Sequence, residues 1–250
     1  MSFSGATYFL MRVKAPEIAA DSKPGQFCMV KCGAHSLLRR PLSIHAATSS
    51  GEIDFLYDDE GKGKNWLSKM SAGSELDIIG PLGNGFMVDS KSRNLLLAAG
   101  GIGIAPLMFL AKRAVSLGIN VRLIAGARFK EGLYPDSLLP PGMDVIRVVE
   151  SPENNARYSQ GKVTDIIPAY LEGVDQVFAC GPQAMLEAIS KQVDNKVVAK
   201  PVQVSLEVRM GCGSGTCYGC SIKTRQGMQR VCKEGPVFNI KDIIWQEVII

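Results

Sequence analysis

The amino-acid sequence predicts a multi-domain protein of the β plus α/β class. Three observations predict it: short β-rich runs in the N-terminal part, apolar strands that alternate with helices from position 92, and a group of cysteines after position 200. The chain of 250 residues is 46% hydrophobic and 21% charged, an ordinary composition that is long enough for two domains and a small module. We therefore expect domains at 1–91, 92–199 and 200–250.

The first 91 residues have the pattern of an all-β domain. Turn residues at 23–25, 49–51 and 72–73 separate short runs of alternating or β-branched residues, and this spacing predicts a barrel or a sandwich. One short helix is expected at 65–69. The predicted strands are 8–13, 26–31, 42–46, 52–57 and 75–79.

The pattern changes from about residue 92, where continuous apolar runs alternate with helical segments. Continuous apolar runs are typical of buried parallel strands, so we expect a doubly wound parallel sheet. A helix is predicted at 106–117, where Gly118 ends it, and another begins at Pro182. The predicted strands are 95–99, 121–125, 144–149 and 176–179. A further β-run at 202–208 opens the last module, and an apolar tail at 240–250 closes it.

Charge and hydropathy exclude two functional classes. The net charge of +4 is not gathered into one run, so nothing favours a nucleic-acid partner. The longest apolar stretch, 95–111, contains three glycines and a proline and is too short for a membrane span. No basic, apolar and small-residue leader opens the chain, and reduced thiols are expected, so the sequence predicts a cytoplasmic protein.

Four cysteines near the C-terminus have the spacing of 2Fe–2S ligands. Cys212, Cys217 and Cys220 are separated by four and by two residues, and Cys232 follows after eleven more. This three-plus-one grouping is the spacing of plant-type ferredoxins. Glycines alternate with the thiols, and a loop wrapped around a cluster needs the positive φ angles and close backbone approach that glycine permits. The pattern predicts an electron carrier.

Two other interpretations of the cysteines stay open. A structural zinc site also takes four thiolates, but it usually shows two spaced pairs. A disulfide framework needs an oxidising compartment and is typical of small secreted chains. The remaining cysteines, Cys28, Cys32 and Cys180, show no pairing pattern.

A glycine-rich loop at 100–106 lies between an apolar strand and a helix. Glycines at such a position let the backbone approach a phosphate, and a helix N-terminus favours an anion. The loop ends in Pro106 and departs from the Gly-x-Gly-x-x-Gly fingerprint, so a tight turn without a ligand is the alternative. Cys180 follows the last parallel strand, at the edge where open α/β sheets bind ligands, although a small residue in a crowded turn explains it equally well.

Two motifs in the β-rich part carry phosphate-binding chemistry. In the run from Arg39 to Ile44, an arginine can pair with a phosphate in bidentate fashion and Ser43 can donate and accept hydrogen bonds. The alternative is a surface arginine pair beside an edge strand. A second glycine loop, 61–67, leads into a short helix and can hold a pyrophosphate, or can be a flexible basic turn.

In combination and in this order, the motifs resemble the ferredoxin–NADP reductase superfamily. Its members carry an Arg-Pro-x-Ser flavin motif in a six-stranded antiparallel barrel, then a Gly-x-Gly-x-x-Pro loop and a Cys-Gly-Pro turn in a pyridine-nucleotide domain. The cysteine cluster with its short final gap is similar to that of the electron-transfer subunits of type B (NAD-dependent) dihydroorotate dehydrogenase. The resemblance covers nearly the full length. It implies an FAD-binding barrel at 1–91, an NAD-binding domain at 92–199 and a 2Fe–2S module at 200–250.

The resemblance also implies which residues hold each cofactor. Arg40 would lie near the FAD pyrophosphate and Ser43 near the reactive edge of the ring. Lys64 stands where the family usually has threonine or serine, so a charge contact would replace a hydroxyl hydrogen bond. The implied FAD residues are Arg40, Pro41, Leu42, Ser43, Leu56, Tyr57, Asp58, Gly63 and Lys64. The implied NAD residues are Gly101, Gly103, Ala105, Pro106, Arg128 and Cys180, and the cluster ligands are Cys212, Cys217, Cys220 and Cys232.

As a function, the resemblance implies electron transfer without an obligatory protein acid or base. NAD exchanges electrons in pairs, a 2Fe–2S cluster takes one at a time, and FAD converts between the two. The implied partner is an FMN-containing catalytic subunit that oxidises dihydroorotate in pyrimidine biosynthesis, assembled with this chain as a heterotetramer with two copies of each subunit. His35 and His45 show no partner motif and are predicted to be structural or surface residues.

Two competing functions stay open at this point. One is the flavin subunit of a ferredoxin–NADP transhydrogenase or sulfide dehydrogenase complex. Those relatives often replace one cluster cysteine with aspartate, whereas this chain has four thiols. The other is a zinc-stabilised, non-catalytic interaction subunit, which colour and metal content would distinguish from a flavin–iron protein.

Overall fold

The computed structural model describes residues 2–3, 6–34, 36–58, 60–151 and 157–248. The N-terminal part forms a six-stranded antiparallel sheet in the order β1-β2-β5-β4-β3-β6. Together with the α/β sheet below, it confirms the predicted fold class. The strands are β1 (Ser2–Phe3), β2 (Ala6–Lys14), β3 (Phe27–Val30), β4 (Arg40–Ala47), β5 (Glu52–Asp58) and β6 (Ile78–Leu82). Two short helices, α1 (Pro16–Asp21) and α2 (Lys62–Leu67), connect them.

Two predicted elements of the barrel are displaced along the chain. The strand predicted at 75–79 starts at Ile78, and the carbonyl of the preceding Asp77 accepts hydrogen bonds from the Lys31 amide and from the Arg39 side chain. It runs through Pro81, which an edge strand tolerates. The helix predicted at 65–69 begins at Lys62, because Gly61 takes a φ of 82° and turns the chain directly into the helix.

The second sheet has seven strands in the order β10-β9-β8-β7-β11-β12-β15, and only β15 runs antiparallel to its neighbour. Its parallel strands are β7 (Asn94–Gly100), β8 (Asn120–Ala127), β9 (Asp144–Val149), β10 (Ser159–Gln160), β11 (Gln176–Cys180) and β12 (Val202–Ser205). The helices are α3 (Ile104–Ser116), α4 (Val163–Ile166) and α5 (Gln183–Asp194), with short 3-10 turns at Gly101–Gly103, Lys130–Gly132, Asp136–Leu138 and Ile167–Tyr170.

The C-terminal segment carries its own hairpin but returns to the large sheet. The hairpin pairs β13 (Ser221–Thr224) with β14 (Gly227–Arg230), and β15 (Val237–Asn239) then pairs with β12. The predicted boundary between 199 and 200 therefore falls beside strands that share one sheet. The strand predicted at 202–208 ends at Ser205, because its neighbour β11 ends at the paired Cys180. The apolar tail forms 3-10 turns at Ile240–Asp242 and Trp245–Glu247, and residues 249–250 lie outside the described residues.

The barrel and the nucleotide half pack directly on each other. Phe109 of α3 belongs to the core cluster of the barrel, while Leu56 of β5 belongs to the cluster that surrounds α3. A third cluster joins the other face of the large sheet to the C-terminal segment and includes Cys220 and Cys232. Across the described part of the chain, no helix is long and apolar enough to cross a membrane.

Candidate cofactor site

A cavity of about 610 Å³ lies where the barrel, the start of α3 and the segment after β12 meet. This volume is within the range of roughly 300–1,000 Å³ that is common for small-molecule sites. Eight of the predicted FAD residues line it: Arg40, Pro41, Leu42, Ser43, Leu56, Tyr57, Asp58 and Lys64. The opposite wall consists of Ser205, Leu206, Glu207, Val208, Arg209, Met210 and Pro236.

Strand pairing explains why residues far apart in sequence share this cavity. The strands β4 and β5 are antiparallel neighbours, so the first residues of β4 and the last residues of β5 lie at the same end of the barrel. The loop after β5 leads into α2 and brings Lys64 to the same end. The sequence motifs thus converge on one cleft although twelve residues separate Ser43 from Leu56 and five separate Asp58 from Lys64.

Arg40 rests against Gly63, and this contact explains the glycine. A Cβ built on Gly63 would lie 2.8 Å from Nε of Arg40, so a larger residue would displace the guanidinium. Arg40 donates a hydrogen bond from Nη1 to the Leu38 carbonyl at 2.7 Å. It pairs with no carboxylate among the described residues, whereas Arg39 is held by Asp77 at 2.7 Å. Arg40 is therefore the arginine that is available to an anion in the cavity.

Lys64 forms an ion pair with Asp58 inside the cavity wall. Its Nζ contacts Oδ1 of Asp58, and the side chains are 26% and 18% exposed. The pair places a cation and an anion at this point of the cleft. A lysine here can neutralise Asp58 before any ligand binds.

The glycine loop packs on the turn that follows β11. A Cβ on Gly103 would lie 2.6 Å from the Gly181 nitrogen and closer still to the Cys180 carbonyl. The loop continues into α3, and Ile102 and Ala105 line the cavity. Gly101 has a φ of 52°, which a side chain disfavours. The predicted nucleotide loop and Cys180 are thus brought together at the carboxyl edge of the sheet.

The four predicted ligand thiols lie in two pairs. The Cys217 amide donates to Sγ of Cys212 at 3.5 Å, and the Cys232 amide donates to Sγ of Cys220 at 3.4 Å. Three or more potential ligands do not converge on a single point anywhere in the described chain. A single zinc ion needs four ligands around one point, whereas a 2Fe–2S cluster has two irons with two thiolates each. The paired arrangement fits the cluster.

The electrostatics of the two pairs differ. Hydrogen bonds from the Cys217 and Ser214 backbone lower the pKa of Cys212 to about 5, which favours the thiolate that binds metal. Cys232 is buried, and burial raises its pKa to about 12. One pair therefore lies near the surface and the other in the interior.

The cysteine loop is fastened to the barrel. A Cβ on Gly213, whose φ is 73°, would lie 3.1 Å from Sδ of Met29 and closer to its Cγ, so the loop lies directly on β3. Asn84 donates from Nδ2 to the carbonyls of Lys233 and Glu234 at 3.2 and 3.0 Å. These contacts place the thiols beside the cavity wall, since Met210 of that wall is two residues before Cys212.

Comparisons with known proteins agree with this geometry. Residues 207–244, which include the four cysteines, match the model of the iron–sulfur cluster binding domain of dihydroorotate dehydrogenase B. The electron transfer subunit of dihydroorotate dehydrogenase B (NAD(+)) from Bacillus caldolyticus is 36% identical over 89% of this chain and 87% of its own length. The one from Desulforamulus reducens is 35% identical over 96% and 93%. The chain belongs to this family of electron transfer subunits.

A solved structure extends the family relation to the whole fold. The NADH-dependent reduced ferredoxin-NADP oxidoreductase, described with flavin-based electron bifurcation, matches with a TM-score of 0.85 and 26% identity over 96% of this chain and 86% of that chain. This chain and that oxidoreductase chain thus share one overall fold.

Of the six expected NAD residues, Ala105 lines the cavity, whereas Gly101, Gly103, Pro106, Arg128 and Cys180 lie outside its lining. Arg128 follows β8, and its guanidinium lies 5.9 Å from the ring centre of Phe129, outside the cavity lining. Cys180 is fully buried and donates its S–H to Oε1 of Glu207 at 4.0 Å. Burial first, and then the charge of Glu207, raise its pKa, so the thiol stays protonated.

The sequence analysis missed the wall of the cavity formed by residues 205–210 and Pro236, and Glu207 is one of the charged residues in it. Its side chain is exposed and lines the cleft, where nearby protein atoms raise its pKa by desolvation, with Lys64 opposing and Asp58 adding to the effect. The predicted strand 202–208 ran straight through this position. No local pattern in the sequence marks the end of β12 at Ser205, so nothing in the sequence shows that Glu207 lies just beyond a parallel strand, at the ligand edge of the sheet.

The structure describes one of the two histidines that were predicted to be structural or surface residues. His35 lies outside the described residues. His45 is completely buried between the barrel and the nucleotide half, where it hydrogen-bonds to Ala105 and Tyr134.

Proposed function

We propose that this chain passes electrons between NAD(H) and a catalytic subunit that oxidises dihydroorotate in pyrimidine biosynthesis. Membership of the dihydroorotate dehydrogenase B family supports the overall reaction. The observation that carries the proposal is the shared wall: one side of the cavity belongs to the barrel, and the other is the segment that leads into Cys212. A flavin in this cavity would lie next to the cluster loop.

The barrel side of the cavity supplies the FAD contacts in this proposal. Arg40 binds the pyrophosphate with its free guanidinium donors, and Gly63 leaves room for that guanidinium. Pro41, Leu42 and Ser43 face the ring from one strand, while Leu56, Tyr57 and Asp58 face it from the other. Lys64 contributes a charge contact near the phosphate end, shared with Asp58.

The nucleotide side of the cavity supplies the NAD contacts. Gly101, Gly103, Ala105 and Pro106 offer a close backbone approach to a dinucleotide at the start of α3. Cys180 and Glu207 border the position of the nicotinamide, and Arg128 lies farther out, at the end of β8. The buried, protonated thiol packs and orients, since its pKa is too high for a nucleophile.

The cysteine loop supplies the one-electron centre. Cys212, Cys217, Cys220 and Cys232 hold a 2Fe–2S cluster through the two pairs described above. FAD, when bound, exchanges electrons in pairs with NAD(H) and singly with the cluster. The chain would hold NAD(H), FAD and the cluster next to one another in that order. Amide hydrogen bonds to the cysteine sulfurs would tune the reduction potential of the cluster.

The partner in this proposal is an FMN-containing catalytic subunit, with two copies of each subunit in a heterotetramer in the cytoplasm. Two observations support a partner at the cluster. Tyr218, between the ligand cysteines, is 64% exposed, and Met228 of the adjacent hairpin is 66% exposed. Large apolar side chains at the surface are typical of protein interfaces.

The experiment is anaerobic purification of the chain, alone and with its catalytic subunit, followed by iron, sulfide and flavin assays and an absorption spectrum. The proposal predicts about two irons and two sulfides per chain together with FAD, and bleaching of the flavin by NADH. In the complex, dihydroorotate should reduce NAD+, and removal of this chain should abolish that activity. Zinc without flavin would overturn the proposal.

A second candidate function is supported by the match to the ferredoxin-NADP oxidoreductase structure. In that case the chain would be the flavin subunit of a complex that exchanges electrons between ferredoxin and a nicotinamide nucleotide. The same preparation separates the two functions. Reduction of NAD+ by dihydroorotate favours the first, and reduction by reduced ferredoxin without any response to dihydroorotate favours the second.

A further inference from the structure

His45 joins the barrel to the nucleotide half by two hydrogen bonds. It lies on β4, two residues after Ser43, where a β-bulge between Ile44 and Ala46 shifts the register of β4 against β5. Its Nδ1 is 3.0 Å from the Ala105 carbonyl oxygen, and its Nε2 is 2.9 Å from the Tyr134 hydroxyl. Ser43 and Ala105 both line the cavity.

The partners of the ring determine its tautomer. A carbonyl oxygen can only accept, so Nδ1 carries the proton and donates to Ala105. Nε2 of the neutral ring then accepts from the Tyr134 hydroxyl. Burial keeps the ring neutral, since it lowers the pKa of His45 to about 4. Each polar atom of the imidazole is therefore used once, in a fixed direction.

The two partners belong to two different segments around the expected dinucleotide. Ala105 is the second residue of α3 and belongs to the glycine-rich loop at 100–106. Tyr134 lies in the segment after β8 that begins with Arg128, and its ring packs 5.6 Å from the His45 ring. One side chain on the flavin strand thus holds both the glycine loop and the segment after β8.

We propose that His45 is a positioning residue that sets the distance between the flavin and the nicotinamide through Ala105 and Tyr134. The inference rests on the proposed function, since it assigns the cavity to FAD and the start of α3 to NAD. His45 touches neither group. It acts through the two segments that would hold the dinucleotide.

We expect the consequence in the rate of hydride transfer, because that rate depends steeply on the distance and orientation of the two reacting groups. In the reaction, NADH loses a hydride, which is two electrons and one proton, to the flavin and leaves as NAD+. A displacement of about 1 Å in such an arrangement can cost about a hundredfold in rate. Loss of the His45 hydrogen bonds to Ala105 and Tyr134 should therefore slow flavin reduction more than it weakens nucleotide binding.

The test uses two variants of the FAD- and cluster-loaded chain. Tyr134→Phe keeps the aromatic ring and removes only the hydroxyl that donates to His45. His45→Asn keeps a donor for the Ala105 carbonyl but removes the acceptor of the Tyr134 hydroxyl. The barrel-core variant Ile53→Ala is the control, because Ile53 is fully buried in the barrel core and belongs to no cofactor contact. FAD and iron contents are measured first for each protein.

Two measurements then test the positioning role of His45. Stopped-flow reduction by NADH should show a limiting rate about tenfold lower in His45→Asn and a smaller loss in Tyr134→Phe, with the NADH dissociation constant changed less than the rate. Amide hydrogen exchange in residues 128–138 should be faster in both variants. Ile53→Ala should melt at a lower temperature while its limiting rate and its exchange at 128–138 match the wild type.

The outcomes separate the inference from the proposed function. Wild-type limiting rates and wild-type exchange in both Tyr134→Phe and His45→Asn would overturn the positioning role and leave a purely structural histidine. A wild-type chain whose flavin is not reduced by NADH would overturn the proposed function, and the inference with it.

Discussion

Replacing Gly103 with alanine tests the contact between the glycine loop and the turn after β11. The new Cβ would lie 2.6 Å from the Gly181 nitrogen and closer still to the Cys180 carbonyl. Optimal carbon contacts need about 3.5–4.0 Å, so the two segments must separate by roughly 1 Å. All of the opposing atoms are backbone, and no flexible side chain can yield. The φ of Gly103 is −58°, so the clash alone is responsible for the effect.

The expected magnitudes follow from this geometry. Overpacking of this kind typically costs about 1–3 kcal/mol of the free energy of unfolding. Displacement of the loop by about 1 Å should lower the limiting rate of flavin reduction by NADH by up to about a hundredfold. The Cys180–Glu207 contact should shift with the turn. The cysteine module is on the other side of the cavity, so iron content should not change.

The assay is stopped-flow reduction of the FAD-loaded chain by NADH, with thermal melting and iron analysis on the same samples. Gly173→Ala is the control, because its built Cβ has no atom within 4 Å and its φ of 71° carries only the usual left-handed strain. That variant should lose about 1 kcal/mol of stability and keep its rate. A Gly103→Ala protein with the wild-type rate and melting temperature would refute the close packing of loop and turn.

Three further predictions concern single side chains. Glu207→Gln should retain FAD but flatten the pH dependence of NADH-driven flavin reduction above pH 4.5, since the raised pKa of Glu207 puts its titration there; an unchanged pH profile would exclude Glu207 from the reaction. His45 should destabilise the chain in mild acid, because its folded pKa of about 4 is below the ordinary 6.5 and the unfolded state therefore binds the proton first. The free energy of unfolding should fall by roughly 1.5 kcal/mol between pH 6.5 and 5. Urea unfolding of wild type and His45→Asn should show that slope only in the wild type, and equal slopes would contradict the buried neutral ring. Cys232→Ser should reduce iron and sulfide content while FAD content stays near that of the wild type; equal loss of both cofactors would argue against separate binding sites.

Part of the candidate site could be predicted because its chemistry is local in sequence. The spacing of the four cysteines and the Arg-Pro-Leu-Ser run each specify residue types at fixed offsets, and the structure places them in one cysteine loop and one cavity. The alternation of strands and helices in the nucleotide half could also be predicted, because the apolar runs of β7 and β11 are continuous.

Other features depend on which strand ends lie beside each other. Glu207 faces the cavity because β12 stops at Ser205, opposite the end of β11, and no local pattern marks that stop. The pairing of Lys64 with Asp58 depends on how α2 folds back on β5.

The sequence by itself determined the two sheets, the order of the motifs and the thiols that can bind a cluster, because these depend on residue type and spacing along one chain. Only the tertiary structure decided that the thiols form two pairs, that the module shares a sheet with the nucleotide half and that His45 joins the two halves. The physical reason is that a hydrogen bond or an ion pair depends on distance in space. His45 and Ala105 are sixty positions apart in the sequence, so no local pattern predicts the 3.0 Å contact between them.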